Sequence, residues 1–180
     1  MIVQVRPFKV MLMFCCACFF LQLFSCEKTP QQESDFTHCL YSEPEAIFRN
    51  GLKGIQYHDF QLKNGIGIEE LGFFDDIRLT IRQSGCDEIV QEFRFEGFPY
   101  ALSNNKWQAD AISLLKRLGR LGPEYLVYHT ISEQLLENED QLALKQPIQL
   151  EEAFYFSAYL ETTPATSLIL VFRSNEQHDR

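Results

Sequence analysis

No apolar run in this 180-residue chain reaches the length of a membrane-spanning helix. The longest, residues 10–24 (VMLMFCCACFFLQLF), holds 15 positions with Gln22 the only polar one, whereas a helix crossing hydrocarbon needs about 20. Glycine (9) and proline (7) are too few for a collagen-like or low-complexity chain, and 46% hydrophobic content excludes wholesale disorder. Positive charge is scarce. Sixteen Lys and Arg face 25 Asp and Glu, a net charge of −9, and this argues against nucleic acid as a partner, since its binders carry a basic patch. Recognisable chemistry is missing too. There is no G-x-S-x-G elbow, no H-E-x-x-H and no D-x-D-x-D-G calcium loop, and Cys39 and Cys86, 47 positions apart, do not make a C-x₂-C zinc framework. Gly65-Ile66-Gly67 before Gly72 does not have dinucleotide-binding spacing and reads as a hairpin turn.

What is present begins with an address. Residues 1–9 carry Arg6 and Lys9 and no acid, and the apolar run follows at once, which is the pattern of a secretory signal. It ends in Leu23-Phe24-Ser25-Cys26. This tetrapeptide resembles the lipobox of bacterial lipoprotein precursors, with an aliphatic residue at −3, a small one at −1 and the cysteine that follows. The resemblance covers residues 1–26 only. It implies removal of a signal peptide, residues 1–25, lipid attachment at Cys26, and anchoring to a membrane through more than one acyl chain. Glu27, which is not aspartate, favours the outer over the inner membrane under the enterobacterial sorting pattern.

Cleavage would leave 155 residues with 14 cations against 25 acids, a net charge of −11. Cys15, Cys16 and Cys18 would leave with the signal, and Cys26 would carry lipid. Cys39 and Cys86 then read as one disulfide in an oxidising compartment, worth about 4 kcal/mol in the chain-entropy description. A metal site from His38, Cys39, His58 and Cys86 is the weaker use of the same residues. Residues 26–37 form the lipidated N-terminus and a polar tether, residues 38–173 a single domain, and residues 174–180 a polar tail.

Within the domain, hydrophobic periodicity sets the elements. Asn64-Gly65 between Ile55–Lys63 and Ile66–Phe73 predicts a hairpin, with a bulge near Glu69–Gly72 where alternation weakens. Ile77, Leu79 and Ile81, then Ile89, Phe93 and Phe95, predict a second hairpin turning at Gly85–Asp87. Trp107, Ala111, Leu114, Leu115 and Leu118 make a helical stripe over 105–118, with Ser103 or Asn104 as cap and Gly119 as stop. Thr130-x-x-Glu133 reads as a capping box opening a second helix, which runs to about Lys145 with Ile131, Leu135 and Leu142 inward. After Pro147 a strand carries Ile148, Leu150, Phe154, Phe156, Ala158 and Leu160, and a turn at Thr163-Pro164 leads to a last strand with Leu168, Leu170 and Phe172. The order β-β-β-β-α-α-β-β predicts an α+β fold, a mostly antiparallel sheet with two helices on one face.

The functional reading follows from what that fold leaves open. His58 and Asp59 are adjacent on a strand and face opposite sides, and the paired carboxylates Glu69-Glu70, Asp75-Asp76 and Glu151-Glu152 read as solvated charge. No catalysis, metal or cofactor is expected. The sheet face away from the helices would carry Arg78, Arg82, Arg94, Gln149, Tyr155, Tyr159, Ile169 and Val171. Tyrosine and arginine are enriched in binding hot spots, so Tyr155, Tyr159, Arg78, Arg82 and Arg94 are the candidate partner-binding residues. The expectation is a lipid-anchored cell-envelope module that binds a protein partner, inhibitor-like or as part of an assembly. Its rivals are an envelope enzyme built from dispersed carboxylates and a purely structural tether.

Overall fold

The computed structural model describes residues 36–100, 102, 106–163 and 165–174. The signal, Cys26, tether residues 27–35, the expected caps Ser103 and Asn104, Pro164 and tail residues 175–180 lie outside the described residues.

Seven strands form one antiparallel sheet: β1 (Ile55–Lys63), β2 (Ile66–Phe73), β3 (Arg78–Gly85), β4 (Ile89–Glu96), β5 (Ile148–Glu151), β6 (Phe154–Glu161) and β7 (Ser167–Ser174). Their order across the sheet is β1-β2-β3-β4-β7-β6-β5, so the last strand to be made lies between the two hairpin systems. Helices α1 (Trp107–Gly119) and α2 (Leu126–Glu137) supply the second layer. The α+β architecture read from periodicity is the one observed.

Local chemistry explains the turns. Asn64 and Gly65 both have positive φ, 52° and 75°, the left-handed pair that a two-residue hairpin requires. Leu79, Ile81, Phe93, Phe95, Leu168 and Leu170 are fully buried on the sheet face that meets Trp107, Ala111, Leu115, Leu118 and Leu135 from the helices. Phe93 packs edge-on against Phe172, with ring centroids 5.2 Å apart. Cys39 and Cys86 are joined by a disulfide, and the Tyr41 amide donates to the Cys86 carbonyl at 3.0 Å, which ties the segment entering the domain to the β3–β4 turn.

Five expectations need correction. The segment after Pro147 is two strands, because Ala153 takes a positive φ of 58° and turns the chain between β5 and β6. The second helix starts at Leu126 and stops at Glu137: Gly122 and Pro123 open a short 3₁₀ turn ahead of it, with Pro in a first-turn position that needs no amide hydrogen. Thr130 therefore sits inside α2 with its hydroxyl donating back to the Leu126 carbonyl at 3.4 Å, and the Asn138 side-chain amide donates to the Gln134 carbonyl at 2.8 Å where the helix ends. The register shift in the first hairpin lies opposite the end of the expected stretch, but on the other strand: it falls in β1 between Ile55 and Tyr57, which pair with Phe73 and Gly72, while Glu69–Gly72 pair without interruption. Ser174, assigned to the tail, is the last residue of β7, opposite Ile89 and Phe154.

The fifth correction concerns Glu69. It is not solvated: the residue is fully buried on the helix-covered face, in a cross-strand row with Phe60 and Ile81.

Candidate functional site

The face of the sheet turned away from the helices is built by cross-strand pairing. Arg94 of β4 lies opposite Ile169 of β7, which lies opposite Tyr159 of β6. One row along, Arg82 faces Glu92, then Val171, then Ser157. Tyr155 faces Arg173 on one side and Gln149 on the other. Tyr155 and Tyr159 stand on the same face with Ser157 between them, and they bound a recess of about 360 Å³ shared with Ser157, Val171 and Arg173. Ile169 and Val171 are buried by their neighbours even here, so they floor this face and the half-exposed tyrosines stand above it.

The three arginines differ in how they are held. Arg94 bonds the Glu161 carboxylate at 2.7 Å and the Ser167 hydroxyl at 3.0 Å, with Glu92 at 3.8 Å. The hydrogen bond to Arg94 holds the Glu161 carboxyl below the usual carboxylate range. Arg78 reaches Glu96 at 3.9 Å across the β3–β4 pair. Arg82 is exposed and has no ion pair within 4 Å among the described residues. The structure thus brings Arg94 and Tyr159 into one row and leaves Arg82 as the arginine with charge to offer. Arg78 lies nearer a second recess of about 360 Å³ lined by Tyr57, Glu70, Thr80 and Glu96.

A larger recess lies elsewhere, about 1060 Å³ between β1, residues 46–50 and the start of α2. Beside it sits a group of residues that sequence reasoning passed over. Both Glu69 carboxylate oxygens are taken: Oε2 accepts the Ile47 amide at 2.8 Å, and Oε1 accepts the Phe48 amide at 2.8 Å and His58 Nε2 at 2.7 Å. His58 Nδ1 meets Asn50 Oδ1 at 2.6 Å. Phe48, 1% exposed, is pinned under the strap that these bonds hold, with its ring 4.8 Å from Tyr125. Burial, with the Glu69 charge adding to it, pushes the Tyr128 hydroxyl up. The mouth carries the Arg49–Glu124 ion pair at 3.0 Å, and the Arg49 amide donates to the Tyr125 hydroxyl at 3.1 Å.

A carboxylate holding a histidine is half of a general-base arrangement, but a base also needs a lone pair within reach of substrate. Here Asn50 occupies the second nitrogen, and the His58 side chain is only 6% exposed. What the group does is hold residues 46–50 against the sheet: a buried carboxylate with three donors satisfies two strap amides that would otherwise be orphaned. Strand parity was the signal that could have found it, because residue 69 shares a face with buried Leu71 and Phe73.

No known protein family, curated protein or solved structure matches the chain. The site's chemistry therefore carries the functional argument unaided. Among the described residues no helix is long and apolar enough to cross a membrane, and no group of three or more His, Cys, Asp or Glu could hold a metal ion. The sulfurs of the conceived His38/Cys39/His58/Cys86 set are consumed by the Cys39–Cys86 bond.

Proposed function

We propose that this chain is a membrane-anchored cell-envelope lipoprotein whose domain is a non-catalytic binding module, docking a protein partner on the uncovered sheet face. The observation that carries the binding half is the row Arg94–Ile169–Tyr159 beside the recess bounded by Tyr155 and Tyr159. Two half-exposed aromatics over an apolar floor, with unpaired Arg82 one row away, are the ingredients from which hot spots are made. An apolar side chain would fill the recess and a carboxylate would meet Arg82. The anchoring half rests on the likeness of Leu23–Cys26 to a lipobox, and Glu27 favours the outer membrane. The Cys39–Cys86 disulfide supports an oxidising compartment, where such bonds persist.

Tyr155→Ala combined with Tyr159→Ala tests the docking face. Affinity capture from solubilised envelope should lose the partner that the parent chain retains, since each truncated hot-spot aromatic costs about 2 kcal/mol of binding or more. The unfolding free energy should fall by no more than about 1 kcal/mol, the scale of a cross-strand pair. Retention of the same partner by the double variant would reject the face.

A second reading, an envelope enzyme, rests on His58 and Glu69 meeting beside the recess of about 1060 Å³. It requires Asn50 to vacate Nδ1. Asn50→Ala would then raise turnover of small ester or glycoside probes, whereas the strap role gives only a loss of stability.

A further inference from the structure

The two outer strands of the sheet end it differently. β5 has four residues and an irregular register against β6, the short, broken kind of edge that resists pairing. β1 has nine residues, and beyond its irregularity at Ile55/Tyr57 it pairs with β2 without interruption to Lys63. Among the described residues, no backbone hydrogen bond reaches residues 57–63 from outside β2. A long, straight row of backbone donors and acceptors is therefore left open.

The side chains along that row are self-complementary. Asp59 and Lys63 point to the uncovered face with Gln61 midway between them, and Phe60 and Leu62, both partly buried, alternate on the other side. We propose that β1 pairs antiparallel with β1 of a second copy of this chain, about a two-fold axis through Gln61. That register sets Asp59 opposite Lys63 of the partner copy, and Lys63 opposite its Asp59. It also sets Phe60 against Leu62 in both directions, and Gln61 against Gln61 on the axis. An axis through Asp59 would oppose two carboxylates, and one through Phe60 would leave both charges facing neutral residues, so charge selects the Gln61 register. Lys63 is exposed and has no ion pair within 4 Å among the described residues, so it is free to serve the partner copy. An isolated lysine on an edge strand guards against pairing. A lysine matched by an aspartate four positions away instead fixes one pairing register. The two sheets would join into one, with the tyrosine faces of both copies on the same side.

The test uses the full chain in detergent and in membranes. Sedimentation equilibrium should give a dimer, and either Asp59→Lys or Lys63→Asp should weaken it roughly tenfold or more, because each places like charges opposite one another. The combined exchange D59K/K63D should restore it. Gln61→Cys should link two copies through a disulfide under mild oxidation, and Lys63→Cys should not, since residue 63 does not meet itself in this register. A chain that is monomeric throughout, a dimer indifferent to both reversals, or one that the double exchange fails to restore would each overturn the proposal. If Asp59→Lys does not fold, exposed Lys63→Asp and the two cysteine variants still decide it.

Discussion

Glu69 shows how one residue can be misread by composition and correctly placed by geometry. In so acidic a chain, Glu69-Glu70 looks like solvated charge, and for Glu70, which is exposed, that is correct. Glu69 is an odd number of positions from every outward residue of β2, so the pleat turns it inward beside Leu71. Its partners were invisible in print, because the Ile47 and Phe48 amides lie more than twenty positions away and in a segment without periodicity. Glu69→Gln keeps the shape but turns an amide donor toward a donor, and breaking a buried, hydrogen-bonded charge typically costs about 3 kcal/mol or more. Urea unfolding should show that loss, and amide hydrogen exchange should rise at residues 46–50. A second residue links pH to stability. Arg117 grips Asp75 with bonds of 2.7 and 2.9 Å and lies 4.1 Å over the Phe73 ring. The Arg117 hydrogen bond holds the Asp75 carboxyl below its ordinary value. A depressed folded value means the contribution is present above the unfolded value, about 3.9, and is lost as pH falls through the folded one. Both side chains are substantially exposed, so Asp75→Asn should cost no more than about 1 kcal/mol at neutral pH, and the two proteins should converge in strong acid.

At the scale of elements, most of the fold was legible because burial imposes period. The stripe from Trp107 to Leu118 and the alternations of β3, β4 and β7 all meet in one core. The misreadings have local causes. A two-residue loop at Glu152–Ala153 preserves parity, so Ile148 and Phe156 share a face whether the chain continues straight or folds back, and alternation alone cannot tell one strand from two. A capping-box pattern at Thr130–Glu133 lost to the proline turn upstream, which had already started the helix. Gly119 was read as a helix stop, and α1 does end on it, but what requires a glycine there is contact. A Cβ there would lie 2.8 Å from the His129 amide nitrogen and 3.2 Å from its Cα, both backbone atoms of α2. Gly119→Ala should therefore force the helices apart and lower the unfolding free energy by about 1–3 kcal/mol, despite alanine's better helix propensity. A gain in stability in thermal unfolding would show that α1 and α2 can separate freely.

For the whole molecule, the proposed display of the domain on a membrane surface is supported by cysteine use and by the lipobox-like Leu23–Cys26. The candidate site was partly legible: strand parity put Tyr155, Tyr159 and the arginines on one face, but how β4, β6 and β7 neighbour one another had to come from topology. Only the observed strand order makes Arg94, Ile169 and Tyr159 a row and locks Arg94 onto Glu161. The anchor is the claim on which the rest depends, because it sets the compartment, the partner's location and the net charge of −11 on the mature chain. The mass of the N-terminal peptide of the protein purified from membranes tests it most directly. A peptide beginning at Cys26 and carrying acyl chains, lost together with membrane association in Cys26→Ala, is the predicted result. An unmodified N-terminus at any other residue would contradict it.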